Sequence, residues 1–188
     1  MRALKLQVQI SVNGYIAGSK GEMDWLEWNW DEDIKNYVNN LHEPVDAIVL
    51  GRKLAEGFIP HWQSFSENPE TADDFSRKMV DTHKVVFTNT IEDKEDWKNT
   101  VFTSNDVTEE INKLKAGEGG DIIVYGGGEF VSSLIEQGLI DDFYLFVNPV
   151  AISKGMPIFE KLSTPQKLML VEAKPFACGI TVLHYRNK

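Results

Sequence analysis

Apolar and polar residues alternate at the start of the chain. Leu4, Leu6, Val8 and Ile10 are separated by Lys5, Gln7 and Gln9, the period of two that marks a strand with one wetter face. The pattern ends near Asn13-Gly14, and the spacing then becomes helical, with Ile34, Tyr37, Val38 and Leu41 on one side. Asp31, Glu32 and Asp33 precede that helix and suit the positive end of its dipole, and Pro44 closes it. Two short apolar runs, 46–51 (DAIVLG) and 84–89 (KVVFTN), have the character of strands covered on both faces, and Ala72, Phe75 and Met79 predict a helix over 72–81 between them. Val101 and Phe102 predict a further short strand, and Asp106 with Glu109 has capping-box spacing for a helix that runs through Leu114 and stops at Gly117. A third buried strand, 121–125 (DIIVY), leads through three glycines into a helix over 130–137 ended by Gly138. After Ile140 the segments 143–150, 167–174 and 179–186 are strand-like, with no helix between the last two. Alternating strands and helices imply right-handed crossovers, so residues 1–188 are expected to form one three-layer α/β/α domain with a mostly parallel central sheet and an antiparallel C-terminal edge.

Composition narrows the function classes. The 188 residues, 42% apolar and 26% charged, suit one globular domain, and no window holds the roughly 18 consecutive apolar residues of a membrane span. No signal-peptide pattern is visible after Met1, which makes the cytoplasm the expected location. Nineteen basic against 29 acidic residues give a net charge of −10, which would repel a nucleic-acid backbone. A phosphorylated small ligand must then be held by a few placed cations and by backbone N–H groups. The single cysteine, Cys178, has no histidine beside it, and His42, His61, His83 and His184 lack metal-ligand spacing, so no metal site is expected.

The candidate chemistry lies at strand ends. Gly126-Gly127-Gly128 stands between a strand and a helix, where missing Cβ atoms and free helix N–H groups suit a phosphate or pyrophosphate, although Val131 occupies the third glycine position of the dinucleotide fingerprint. Gly51-Arg52-Lys53 ends another strand, and an arginine there can grip a phosphate through two N–H groups. Thr88, Asn89 and Thr90 end a third with small hydrogen-bonding side chains. Ligands of open α/β sheets bind outside the carboxyl ends of the strands, so three such ends together are more informative than any one. The segment 13–30 reads as a long loop holding Gly14, Gly18 and Gly21 with Trp25, Trp28 and Trp30, a composition that suits either a lid over a planar ligand or simple packing onto the body.

The order of the NGYIAG segment with Trp25, VLGRK, VVFTNT, IIVYGGGEF, LIEQGLIDDFYLFVNPV and GMPIF resembles the dihydrofolate reductase-like fold. It is most similar to the small stand-alone relatives of the C-terminal reductase domain of the bifunctional riboflavin-biosynthesis deaminase/reductase. The resemblance implies an NADPH-dependent reductase of a pteridine-, pyrimidine- or carbonyl-type small molecule, and a homodimer. Arg52 and Lys53 with Thr88, Asn89 and Thr90 would hold the adenosine ribose and its 2′-phosphate, and Gly51 closes the strand before them. Gly126, Gly127, Gly128, Glu129 and Phe130 would take the pyrophosphate, and Ala17 and Gly18 would lie near the nicotinamide. A cis peptide is implied between Gly126 and Gly127. The family's active-site carboxylate falls at Asp31, Glu32 or Asp33, and Asp31 is assigned to catalysis, with Trp25, because it comes first. This chain departs from the folate reductases at Leu54, where they carry threonine, and from the riboflavin-pathway reductases at Tyr125, where they carry glutamate.

Overall fold

The computed structural model describes residues 1–90, 96–126 and 128–188. The central strand β1 (Leu4–Ser11) lies between β6 (Asp121–Tyr125) and β7 (Asp142–Asn148) and is parallel to both. On one side the sheet continues in parallel through β3 (Val45–Gly51), β4 (His83–Phe87) and β5 (Thr100–Thr103). On the other side it ends in two antiparallel strands, β10 (Thr181–Asn187) and β9 (Leu168–Pro175), giving the order β5-β4-β3-β6-β1-β7-β10-β9. The mostly parallel sheet with an antiparallel C-terminal edge is the architecture expected from the pattern of the chain.

Helices cover both faces. Leu4, Leu6, Val8 and Ile10 of β1 pack with Ile111 of α4 (Val107–Ala116) and with Val131, Leu134 and Ile135 of α5 (Gly128–Glu136). Opposite, Ile48 and Leu50 meet Ala55 and Ile59 of α2 (Arg52–Glu67) and Met79 of α3 (Asp74–Asp81), while Phe146 and Val182 meet Ile34, Val38 and Leu41 of α1 (Glu32–His42). The caps follow the sequence: Asp31, Asp73 and Asp106 each accept a backbone N–H from the first turn of the helix they precede.

Three elements were not expected. The segment from Arg52 to Glu67 is a 16-residue helix, although its interior Pro60 and mixed polarity mask the period; its inward face rests on Ala55 and Ile59. The supposed long loop contains β2 (Tyr15–Gly18), which pairs with β8 (Gly155–Pro157) as a two-stranded ribbon. Four residues need a partner 140 positions away to become a strand, so no local pattern reveals it. The helix after the glycines also begins at Gly128, two residues earlier than its apolar period indicates.

Several polar groups are buried on the α1 side and satisfied there. The Lys5 ammonium pairs with Asp121 at 2.7 Å, and Lys84 donates to the carbonyls of Val80 and Thr82 at 2.7 and 2.6 Å. His42 is 1% exposed. Its Nδ1 lies 2.7 Å from the Val38 carbonyl, which can only accept, so Nδ1 carries the proton and Nε2 accepts the Tyr125 hydroxyl at 2.5 Å. Burial, opposed by the Val38 carbonyl and reinforced by Lys78 and Lys5, pushes the His42 pKa down to about 4 from 6.5. As the pH falls below 6.5 the unfolded chain takes up this proton first, so stability is lost between about pH 6.5 and 4, by roughly 3 kcal/mol in all. His42→Gln is expected to remove most of that loss; an unchanged difference between urea unfolding free energies measured at both ends of this window would show that His42 does not cause it.

Candidate functional site

The carboxyl ends of the parallel strands open on one side of the sheet, and a cleft of about 770 Å³ lies there. Its walls come from three places distant in sequence: Gly51 to Leu54 at the junction of β3 and α2, Gly128 to Phe130 with Ser133 on α5, and Met156, Pro157, Glu160 and Lys161 at and after β8. Phe87, at the end of β4, packs against Phe130 with ring centroids 5.3 Å apart and the rings tilted by 33°, and also lines the cleft. Gly51 makes this packing fit, because a Cβ there would lie 2.9 Å from Phe130 Cβ.

Three cations line the cleft. Arg52 and Lys53 are the first residues of α2, and Arg52 pairs with Glu56 one turn later at 3.0 Å. Lys161 was not foreseen from sequence. Its ammonium donates to Ser133 Oγ at 2.7 Å and to the Glu129 carbonyl at 3.3 Å, which fixes it against the first turns of α5. The signal available was its position, three residues after the GMPI run, but nothing local links that run to α5. Carboxylates of Glu129 and Glu160 border the same space, so the site is mixed in charge within a strongly acidic chain.

The three glycines have different roles. A Cβ on Gly126 would stand 2.6 Å from Val8 Cγ2, so glycine is required there by the approach of β6 to β1. A Cβ on Gly128 would meet only Ile16 Cδ1, at 3.4 Å, while its backbone faces the cleft. Gly127, and with it the peptide expected to be cis, lies outside the described residues.

The remaining candidates lie around this cleft. Thr88, Asn89 and Thr90 follow Phe87 but do not line it; the Thr88 N–H donates to the Thr103 carbonyl, and its hydroxyl accepts from the Thr90 N–H. Ala17 and Gly18 are opposite Met156 and Gly155 in the ribbon, one strand away from the cleft wall. The Glu22 carboxylate folds against Gly18 and accepts from the Lys20 N–H at 2.8 Å. Trp25 is half-buried and donates to the Glu22 carbonyl, Trp30 stacks on Phe146, and Trp28 is 65% exposed. The segment is tied down by the fully buried Asn148, whose amide accepts from the Glu27 N–H and donates to Gln9.

Asp31 is a structural cap as well as a candidate acid. One carboxylate oxygen accepts the Ile34 N–H at 2.9 Å and the other the Cys178 N–H at 3.3 Å, joining α1 to the turn between β9 and β10. Neither Asp31 nor Trp25 lines the cleft. Among the described residues no three His, Cys, Asp or Glu side chains converge to hold a metal, and no helix is long and apolar enough to cross a membrane.

Comparison with known proteins bears on the family and the fold. The model of the RibD C-terminal domain matches residues 2–182. The chain belongs to this family. It is similar to the uncharacterized protein YyaP of Bacillus subtilis (strain 168), with 29% identity covering 98% of this chain and 94% of YyaP. Its fold is that of a putative riboflavin biosynthesis protein from Shewanella sp. PV-4, with a TM-score of 0.73, 20% identity, and 100% and 99% of the two chains covered. It also superposes on the diaminohydroxyphosphoribosylaminopyrimidine deaminase/5-amino-6-(5-phosphoribosylamino)uracil reductase of Thermotoga maritima, with a TM-score of 0.70 and 16% identity, covering all of this chain and 57% of that one.

The glycine geometry gives an expected outcome for stability. Gly126→Ala forces a Cβ into Val8 and should cost about 1–3 kcal/mol, whereas Gly128→Ala should leave the melting transition within about 0.5 kcal/mol of wild type. Equal destabilisation of both variants in thermal unfolding would mean that Gly128, too, is fixed by packing.

Proposed function

We propose that this protein is a cytoplasmic NADPH-dependent reductase of a small pteridine-, pyrimidine- or carbonyl-type substrate, similar in reaction class to 5-amino-6-(5-phosphoribosylamino)uracil reductase or dihydrofolate reductase. The observation that carries the reading is the convergence of Arg52, Lys53 and Lys161 on one cleft beside the first turn of α5, in a chain of net charge −10. Such a cluster suits a ligand with separated phosphates. The open space over Gly128, where a side chain would intrude, suits close approach of a backbone-bound anion.

NADPH, when bound, supplies the hydride. In this reading Arg52 and Lys53, with Thr88, Asn89 and Thr90 beyond Phe87, hold the adenosine end and its 2′-phosphate. The N–H groups of Gly128, Glu129 and Phe130 face the pyrophosphate, with Gly126 and Gly127 in the turn that leads to them, and Ala17 and Gly18 border the nicotinamide. Trp25 and Asp31 serve the substrate side, where Asp31 positions the substrate or relays a proton through water. A nucleotide-binding protein without catalysis is the second reading, and the two backbone N–H groups already bound by the Asp31 carboxylate favour it.

One measurement tests the cofactor and a second the catalysis. Arg52→Ala is expected to weaken NADPH by roughly 1.5–3 kcal/mol in a binding titration and NADH much less; equal losses would show that Arg52 does not read the 2′-phosphate. Asp31→Asn retains an oxygen for the Ile34 N–H but loses the charge, and turnover should fall by roughly 10² with NADPH affinity nearly unchanged. Wild-type hydride transfer by this variant in single-turnover kinetics would assign Asp31 to capping alone.

A further inference from the structure

The three cations of the cleft differ in how they are held. Arg52 gives one N–H group to Glu56 at 3.0 Å, and Lys53 is exposed. Lys161 is fixed. Its ammonium donates to Ser133 Oγ at 2.7 Å and to the Glu129 carbonyl at 3.3 Å, and Ser133 Oγ itself donates to the same carbonyl at 3.0 Å. An ammonium carries three N–H groups, so one remains for a ligand of the cleft that Lys161 lines.

The backbone around Lys161 is fixed as well. Ser132, the neighbour of Ser133 on α5, donates to the carbonyl of the fully buried Ile158 at 2.8 Å, and Phe159 and Leu162 pack on the core. Two consecutive serines thus tie the segment after β8 to α5, one through its backbone and one through the ammonium. A lysine usually gives up much side-chain freedom when it binds, and here that freedom is lost before any ligand arrives.

What this ammonium lacks is a counter-charge. Two other enclosed lysines are neutralised, Lys5 by Asp121 at 2.7 Å and Lys115 by Asp141 at 2.6 Å. Among the described residues Lys161 has no ion pair, and both of its acceptors are neutral. Glu129 and Glu160 border the same cleft, and their carboxylates would repel an anion that met only the N–H groups of α5.

Position decides which anion the ammonium meets. Arg52 and Lys53 stand on the α2 wall of the cleft, and Lys161 stands against Glu129 and Ser133 on the α5 wall. We infer that Lys161 binds the diphosphate that joins the two halves of a dinucleotide, while Arg52 and Lys53 meet the separate phosphate on the adenosine. The inference rests on the cofactor reading above and adds a division of labour to it. Lys161 sets the affinity for both nicotinamide cofactors, and Arg52 sets the preference between them.

Titrations of wild type, Lys161→Met and Arg52→Ala with NADPH, NADH, ADP and adenosine 2′-monophosphate test this. Lys161→Met keeps the length of the side chain and removes the charge. It should weaken NADPH, NADH and ADP alike, about tenfold or more, and leave adenosine 2′-monophosphate within about twofold of wild type. Ser133→Ala keeps the ammonium but frees it from the hydroxyl, and should weaken the same three ligands by a smaller factor. Urea transitions check that the variants are folded; if Lys161→Met is not, Lys161→Gln, which retains an N–H for Ser133, gives the same comparison. NADPH and ADP affinities unmoved by loss of the ammonium overturn the inference, even where Arg52→Ala still weakens NADPH and the cofactor reading stands. A loss confined to NADPH and adenosine 2′-monophosphate overturns it too, because Lys161 would then read the 2′-phosphate, as does an equal loss for all four ligands, the mark of a merely structural role. Wild type that binds neither NADPH nor NADH but binds ADP through Lys161 overturns the cofactor reading and leaves the diphosphate site, and wild type that binds none of the four overturns both.

Discussion

The rest of the structure depends on β1 being held on both sides. Its backbone bonds to β6 over Leu4–Gln7 and to β7 over Lys5–Ser11, so one strand sets the register of both halves of the sheet. Burial on both faces makes a shift costly. Leu4, Leu6, Val8 and Ile10 would leave the α4–α5 core, and Lys5 would leave Asp121. Gly126 marks how close this fit is, since the turn after β6 runs against Val8 with no room for a methyl group.

That constraint places the cleft. With β6 and β3 fixed relative to β1, the first turns of α5 and α2 come side by side, and Phe130 closes over Gly51 onto Phe87. Arg52 and Lys53 arrive on one wall and Lys161, held by Ser133 and the Glu129 carbonyl, on another. The ribbon of β2 and β8 then borders the cleft through Met156 and Pro157. Asn148, at the end of β7, fixes the tryptophan segment by way of Glu27 and Gln9. The same side of the sheet thus carries a cation-lined cleft, a ribbon and an aromatic segment, all positioned by the strands of the sheet, whose ends Gly51 and Phe87 themselves reach the cleft.

The far end of the sheet is organised differently. Asp142, at the start of β7, is buried and binds both His184 and Arg186 of β10, which locks the antiparallel pair to the parallel body. Helix α1 covers this end on one face through Phe146 and Val182, and Tyr37 reaches Glu172 on β9. The helices of the other face, α4 and α5, pack against the parallel strands, and Leu183 and Tyr185 are only half-buried there. Among the described residues β9 bonds only to β10, which lies between it and β7.

Wherever the signal was local, the sequence alone determined the element. The alternation in Leu4–Ile10, the apolar runs of β3, β4 and β6, and the caps at Asp31 and Asp106 are set by period, burial and hydrogen-bonding capacity within a few residues. They sufficed to specify a parallel sheet between helices and to place Gly51, Arg52, Lys53 and the glycine triplet at its carboxyl ends. Tertiary structure decided what depends on distant partners. Helix α2 is stabilised by Ala55 and Ile59 meeting the sheet despite Pro60, and β2 exists as a strand only because β8 pairs with it. Lys161 joins the cleft because Ser133 and a carbonyl of α5 hold it, and Thr88 to Thr90 stay outside it because β4 ends beneath Phe130. Contacts of this kind are fixed by packing between segments far apart in the chain, so no stretch of sequence encodes them by itself.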